Sequence, residues 1–337
     1  MSVPDGTLQR SYGKVFNQVA AAYDRHRPTY PEQLIDLACE VAGLQHGDEV
    51  LEIGCGTGQL TGSLLGRGLR VTAVEPGARL AELARQRLGG TDELKLVNAR
   101  LEDAPLPHAH FRAVFSASAI HWVDPDVGWQ RAADALVPDG TLVLIQYFGL
   151  HDSRSADDQR ALLSALTAIA PEIAASLPRY RDLESTLAGV RERRENISEV
   201  WAWLGGHELA REYAADLFDD AQIAVDPMLM EHTDAQINAL LGTMSFWSRL
   251  SPEQREATQA ANRTLHEQLG RPIRSSVVAC LVTARRRVHR PEPRLEVPTG
   301  PGIHSCGTDA LSSDRKSPTG PRCASLSGLT TESMLAI

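Results

Sequence analysis

The chain has 337 residues, 42% of them hydrophobic, and 34 basic against 43 acidic side chains give it a net charge of -9. That is enough apolar material for a sizeable core, and the acidic balance with scattered Lys and Arg argues against nucleic acid as the main partner. The five cysteines (Cys39, Cys55, Cys280, Cys306 and Cys323) are odd in number and show no Cys-x-x-Cys spacing, which argues against a disulfide framework and for reduced thiols in the cytoplasm.

Residues 10–45 read as helical, interrupted at Pro28 and Pro31, and no basic stretch near the start precedes an apolar run, so no secretory leader is expected. Strands and helices then alternate. Glu49–Ile53 is expected as a strand, Leu60–Gly66 as a helix start, Leu69–Glu75 as a second strand and Ala78–Leu88 as an amphipathic helix with Leu80, Leu83, Ala84 and Leu88 on one face. Leu94–Val97 and Ala113–Ser118 follow as strands, Val127–Leu136 as a helix, Pro138-Asp-Gly140 as a turn and Thr141–Tyr147 as a fifth strand. Near-continuous apolar strands between amphipathic helices predict an α/β fold with a doubly wound, mostly parallel sheet covered on both faces. The longest apolar run, Thr141 to Leu150, is too short to span a bilayer and contains Gln146, so no membrane partner is expected.

After residue 150 the pattern changes to helices over 153–218, with Gln222–Thr233 as a further strand. Ser251–Gly270 is a helix started by Ser251 as N-cap, Pro252 in the first turn and Glu253 near the positive dipole end, and Ser275–Ala284 is a final strand. The expected division is a core with N-terminal helices over 1–150, a mainly helical cap over 151–250 inserted after the fifth strand, and a helix and strand over 251–290 that complete a seven-stranded sheet. From 291 to 337 Gly, Pro, Ser and Thr dominate, and that segment is expected to bury too little surface to order.

The chemistry concentrates in Val50-Leu-Glu-Ile-Gly-Cys-Gly-Thr-Gly-Gln59. An apolar strand ends in Glu52, and Gly54, Gly56 and Gly58 then allow positive φ and close approach of a ligand to the backbone. A dinucleotide fingerprint needs a third glycine where Gln59 stands, and a P-loop needs a lysine that this turn lacks. An uncharged turn preceded by an acid suits a ligand without phosphates. Glu75, at the end of the second strand and about 20 residues beyond the loop, has the spacing at which a carboxylate meets ribose hydroxyls. No clustered triad of His, Asp and Glu stands at metal-ligand spacing, so no metal is expected.

Glu52, Gly54, Gly56 and Gly58 resemble motif I of the class I S-adenosylmethionine-dependent methyltransferases, and the chain is similar to their small-molecule, type 11-like members over 12–150. The resemblance implies S-adenosylmethionine as cofactor. It implies that the Leu101 backbone and the Glu102 side chain read adenine. Ser116-Ala-Ser-Ala-Ile-His-Trp122 resembles the Ala-x-His-Trp segment that lies beside the methionine half of the cofactor and faces the acceptor. Tyr23-Asp-Arg-His-Arg-Pro-Thr-Tyr-Pro31 resembles a segment of a bacterial subgroup, in which Arg27 would pair with the cofactor carboxylate and Tyr23 or Tyr30 would close over it. One departure is Arg112, where the family usually carries Asp.

In-line displacement at a sulfonium needs no acid for its neutral leaving group, and a base only if the acceptor must lose a proton. His121 is the candidate, as a base or as a residue that shapes the pocket. The expected function is methyl transfer to a small-molecule acceptor. The alternatives are a protein that binds the cofactor without transferring methyl, and an NAD-dependent oxidoreductase, against which Gln59 argues. Tyr147, Trp201, Trp203, Phe246 and Trp247 are candidate pocket aromatics. Acceptor identity and oligomeric state are not set by these residues.

Overall fold

Runs of β-branched and apolar residues with no polar alternation make strands that must be covered on both faces, and the five-residue strand β1 (Glu49–Ile53) is buried at all but its first position. A computed structural model describes residues 29–205, 209–288 and the two-residue strand 335–336. In chain order its elements are α1 (Glu32–Val41), β1, α2 (Gln59–Leu65), β2 (Arg70–Val74), α3 (Ala78–Leu88), β3 (Leu94–Val97), β4 (Phe111–Ala117), a 3-10 turn (Ile120–Trp122), α4 (Pro125–Ala135) and β5 (Leu136–Gly149). Helices α5 (Ala156–Ile169), α6 (Pro171–Ala175), α7 (Leu183–Arg193), α8 (Ile197–Gly205) and α9 (Ala214–Leu217) stand between β5 and β6 (Gln222–His232). They are followed by α10 (Asp234–Leu241), a 3-10 turn (Ser245–Arg249), α11 (Pro252–Leu269), β7 (Ile273–Arg285) and β8 (Leu335–Ala336).

The sheet order is β3-β2-β1-β4-β5-β7-β6, with β8 on the β6 edge. Strands β1 to β5 pair with one another in parallel, and β7 runs antiparallel between β5 and β6. The α/β class, the mostly parallel seven-strand core and the helices following the fifth strand are as the sequence predicts. Beyond the expected seven strands, Leu335–Ala336 pairs with Val225 and Ala224. The rest of the tail from 291 lies outside the described residues.

Alternation along each strand sends side chains to two cores. On one face Leu142, Leu144, Val278 and Cys280 pack with Trp129 of α4 and with Val190, Ile197, Val200 and Trp201 of α7 and α8. On the other Val143, Ile145, Ala279 and Leu281 pack with Leu34, Ile35 and Ala38 of α1 and with Leu60 and Leu64 of α2. A third cluster, with Leu166, Ala170, Trp247 and Leu250, joins α5 and α6 to the turn before α11.

Two boundaries differ from expectation for physical reasons. Helix α4 begins at Pro125, because Asp124 accepts a hydrogen bond from the Asp126 N–H and proline occupies the first turn. The Pro138-Asp-Gly140 turn lies within β5 rather than before it. Phe111 pairs with Leu136 but Ala113 with Thr141, so the turn is absorbed as a bulge with Asp139 at φ 65°.

Candidate functional site

The carboxyl ends of β2, β1 and β4 lie side by side, the place where an open α/β sheet offers a crevice to a ligand. The first loop turns at once, with Gly54, Gly56 and Gly58 at φ 71°, 57° and 83°. The Gly54 N–H donates to the Val74 carbonyl at 2.8 Å, which holds the loop against the end of β2. A Cβ at Gly54 would come within 2.4 Å of the Ala119 Cβ, so this glycine lets the β1 and β4 loops touch. A Cβ at Gly56 would meet nothing within 4 Å; its backbone therefore borders the open side of the crevice, where a ligand can approach it.

Glu75 forms the floor. Its Oε2 accepts from the Gly56 N–H at 2.9 Å and its Oε1 from the Gly77 N–H at 2.7 Å. Burial pushes its carboxyl above the usual range, and the two amides partly offset that by stabilising the anion. Each carboxylate oxygen keeps acceptor capacity beyond one amide, so the side chain can be fixed and still receive two hydroxyls. Asn98, just past β3, donates from Nδ2 to the Glu75 carbonyl at 2.7 Å. The sequence reading missed this brace, although an amide at a strand end was the available signal.

Glu52 sits behind the loop, fully buried, and accepts from the Thr61 hydroxyl at 2.6 Å. Burial pushes its carboxyl up to about 7; the Thr61 bond opposes the rise and the charge of Glu75 adds to it. Thr61, the third residue of α2, was likewise not singled out by the sequence. Cys55 is buried and its thiol is pushed up, chiefly by burial, as suits a small side chain in a tight turn rather than a nucleophile.

Leu101 is buried, and the neighbouring Glu102 uses one oxygen, Oε1, to accept from Arg100 at 2.6 Å and from the Asp124 N–H at 3.1 Å. These bonds tie the β3 loop to the start of α4. Glu102 is held below the usual carboxylate range despite partial burial, by the Arg100 bond and backbone donors. His121 is 7% exposed, in the 3-10 turn after β4, with its ring 4.7 Å from that of Trp122. Ser118, at φ 52°, begins that turn, and its N–H donates to the Ile145 carbonyl at 2.8 Å. Arg112, the departure from the family pattern, lies 3.7 Å from Asp48 on the outside of β4.

Of the N-terminal segment, Tyr23 and Arg27 lie outside the described residues. Tyr30 is described: its hydroxyl donates to Ser118 Oγ at 2.8 Å and its ring stacks on Tyr147 at 5.7 Å. The candidate pocket aromatics do not converge. Trp201 is fully buried, Trp203 has Arg181 and Arg193 over its ring, and Phe246 and Trp247 belong to the third cluster. Among the described residues no group of three or more His, Cys, Asp or Glu could hold a metal ion, and no helix is long and apolar enough to cross a membrane.

Comparison with known proteins agrees with this geometry. Residues 51–144 match the family model of the methyltransferase domain. An uncharacterized methyltransferase of Mycobacterium tuberculosis is 36% identical over 137 residues, 41% of this chain and 54% of that protein. A demethylmenaquinone methyltransferase of Tropheryma whipplei is 32% identical over 142 residues, 40% of this chain and 58% of that protein. The chain thus spans a little over half the length of these curated relatives. A solved structure from Anaeromyxobacter dehalogenans, assigned provisionally as a type II methyltransferase, is 21% identical with a TM-score of 0.50 over 77% of this chain and 97% of that one, which supports the fold. The segment 51–144, which carries the glycine loop and the buried Glu52 and Glu75, is thus similar to a methyltransferase domain.

Proposed function

We propose that the whole chain is an S-adenosylmethionine-dependent methyltransferase whose acceptor is a small molecule. The observation that carries this reading is Glu75, clamped by the Gly56 and Gly77 amides at 2.9 and 2.7 Å on the floor of a crevice bordered by the open backbone of Gly56. A clamped carboxylate is preorganised to receive a ribose diol, and an uncharged glycine turn leaves room for a nucleoside without phosphates.

When bound, S-adenosylmethionine would supply an electrophilic methyl group on a sulfonium. The residues that would hold it are Glu75 at the ribose, the backbone of Leu101 and the carboxylate of Glu102 at the adenine edge, and Gly54, Gly56 and Gly58 along the chain between. Glu52 is set to favour a cation, since a nearby positive charge would offset the burial that raises its carboxyl to about 7. Arg27 and Tyr23 are the proposed partners of the cofactor carboxylate and the closing edge. His121, next to Trp122 on the β4 side of the crevice, would take a proton from the acceptor or orient it. Most of the rate would then come from alignment of acceptor and methyl donor.

A small acceptor is favoured because the helices between β5 and β6, proposed as a cap over residues 151–250, would close the acceptor off from a large partner. The net charge of -9 offers no stripe for a polyanion. The demethylmenaquinone methyltransferase among the relatives is consistent with this class.

Titration calorimetry with S-adenosylhomocysteine tests the reading. Wild type is expected to bind, and Glu75→Ala to bind at least ~10-fold more weakly. A folded wild-type sample that binds none would refute it. For His121, replacement by Ala is expected to cut turnover by ~100-fold if it acts as a base; a loss confined to cofactor affinity would assign it to pocket shape instead.

A further inference from the structure

A cavity of about 460 Å³ lies where β5 resumes after its bulge, β7 ends and β6 starts, lined by Thr141, Asp219, Gln222, Thr283, Arg285 and Arg287 among others. Because β1, β4 and β5 run parallel, this is the opposite end of the sheet from the glycine loop. Its size falls within the roughly 300–1,000 Å³ of small-molecule sites. Thr141 stands opposite Arg285, and Thr283 opposite Gln222, on neighbouring strands. Thr283 and Arg285 are two positions apart, so all four side chains leave one face. The bed is polar: Thr141 and Thr283 are 1% and 4% exposed, and the Thr141 hydroxyl has no hydrogen-bond partner among the described residues. The two arginines are oriented by main-chain oxygens. Arg285 donates to the Val41 carbonyl at 3.0 Å and to the Asp139 carbonyl at 3.3 Å, and Arg287 Nε donates to the Phe218 carbonyl at 2.7 Å. The carboxylates paired with them, Asp139 and Asp219, stand 3.7 and 3.8 Å away, beyond hydrogen-bond length. Asp220 faces Arg194 at 3.3 Å instead. The terminal nitrogens of Arg287 and the carboxylate of Asp219 have no hydrogen-bond partner among the described residues.

We propose that this cavity is a second ligand site, separate from the crevice at the glycine loop, and that it takes the zwitterion of an α-amino acid with an uncharged polar side chain. The chemistry follows from the lining. A guanidinium fixed by carbonyls keeps donors for a carboxylate, and its planar fork receives one through two hydrogen bonds. Asp219 receives the ammonium. Arg287 and Asp219, 3.8 Å apart, suit a ligand that carries both charges on one carbon. A lone anion would meet the like charge of Asp219 and Asp220, and a lone cation that of Arg285 and Arg287. Thr283 and Gln222 on the bed can hydrogen-bond an uncharged polar side chain, whereas an added charge there would have no partner.

The full chain, labelled with nitrogen-15, is titrated with three probes: L-glutamine, 4-carbamoylbutanoate, which lacks the ammonium, and 4-aminobutanamide, which lacks the carboxylate. L-Glutamine is expected to shift the backbone amide resonances of Thr283, Arg285 and Arg287 and to bind at least ~10-fold more tightly than either analogue. Saturation with S-adenosylhomocysteine is expected to leave that affinity unchanged. Asp219→Asn is expected to weaken L-glutamine ~10-fold with the thermal midpoint in place, since its side chain makes no hydrogen bond within the described protein. Arg287→Gln is expected to weaken L-glutamine and 4-carbamoylbutanoate alike; Asp219→Asn carries the test if loss of the bond to Phe218 prevents folding. Equal affinity for L-glutamine and 4-carbamoylbutanoate would overturn the zwitterion, and unmoved resonances at Thr283, Arg285 and Arg287 would overturn the site. An Asp219→Asn variant that binds L-glutamine like wild type would also overturn the proposal. So would displacement of L-glutamine by S-adenosylhomocysteine, which would place it in the other crevice.

Discussion

Glu52 and the glycines after it are where single residues decide most. A carboxyl raised to about 7 from the ordinary 4.5 binds its proton more tightly folded than unfolded. The stability this contributes is complete below about pH 4.5 and is lost as pH rises through 7, because across that window the folded state holds more protons. Glu52→Gln removes the dependence. The difference in unfolding free energy between wild type and variant is expected to change by on the order of 3 kcal/mol between pH 5 and 8, read from denaturant titrations at both; no change would show that Glu52 titrates normally. A ligand that brings a cation to Glu52 should release its proton, so the calorimetric heat of S-adenosylmethionine binding near pH 6.5, measured without acceptor, should vary with buffer ionisation enthalpy. The glycines separate in a second way. Gly56→Ala meets nothing within 4 Å and bears only left-handed backbone strain of ~1 kcal/mol, whereas Gly54→Ala also overlaps Ala119 Cβ at 2.4 Å. Thermal melts should show the larger loss for Gly54→Ala, while Gly56→Ala should chiefly weaken cofactor binding, where its methyl group enters the open side.

At the level of elements, local signals set the boundaries well when they were local hydrogen bonds. Ser251 Oγ accepts from the Gln254 N–H at 3.2 Å, and Gln254 Oε1 accepts from the Ser251 N–H at 2.9 Å. That reciprocal pair starts α11 where serine and proline announced it. Ser251→Ala is expected to cost about 1 kcal/mol in denaturant unfolding, and Ser251→Thr much less; equal losses would mean the cap contributes little. The bulge in β5 could not be read in the same way. Pro138-Asp-Gly140 has the composition of a turn, but whether it ends an element or interrupts one depends on Phe111 and Ala113 in another strand. The pocket aromatics failed as a group for a related reason. An aromatic on a helix packs toward whichever face the tertiary fold covers, and Trp201 and Trp247 fell into different cores.

Across the whole molecule, long-range ties fasten α5 to the sheet. Asp158 of α5, 2% exposed, accepts from Arg271 at 2.7 and 2.9 Å and from the Arg274 N–H at 2.7 Å. The Arg271 bond holds its carboxyl below the usual range, so this tie is present at neutral pH and lost only on acidification through the depressed value. Asp158→Ala is expected to cost about 1–3 kcal/mol and to speed amide exchange in α5 more than in the glycine loop; uniform acceleration would show that α5 and the sheet unfold as one unit. These ties mark the limit of the linear chain. By itself the sequence determined the class of fold, the strand ends at Glu52 and Glu75, and the exclusion of phosphate at the loop, because periodicity, glycine spacing and missing lysine are properties of neighbours in the chain. The tertiary structure alone decided that Glu75 is clamped by Gly56 and Gly77, and that Asn98 and Thr61 brace the two acids. Except for the Glu75–Gly77 bond, those pairs are distant in sequence, and they meet only through packing of the loops, strands and helices that carry them.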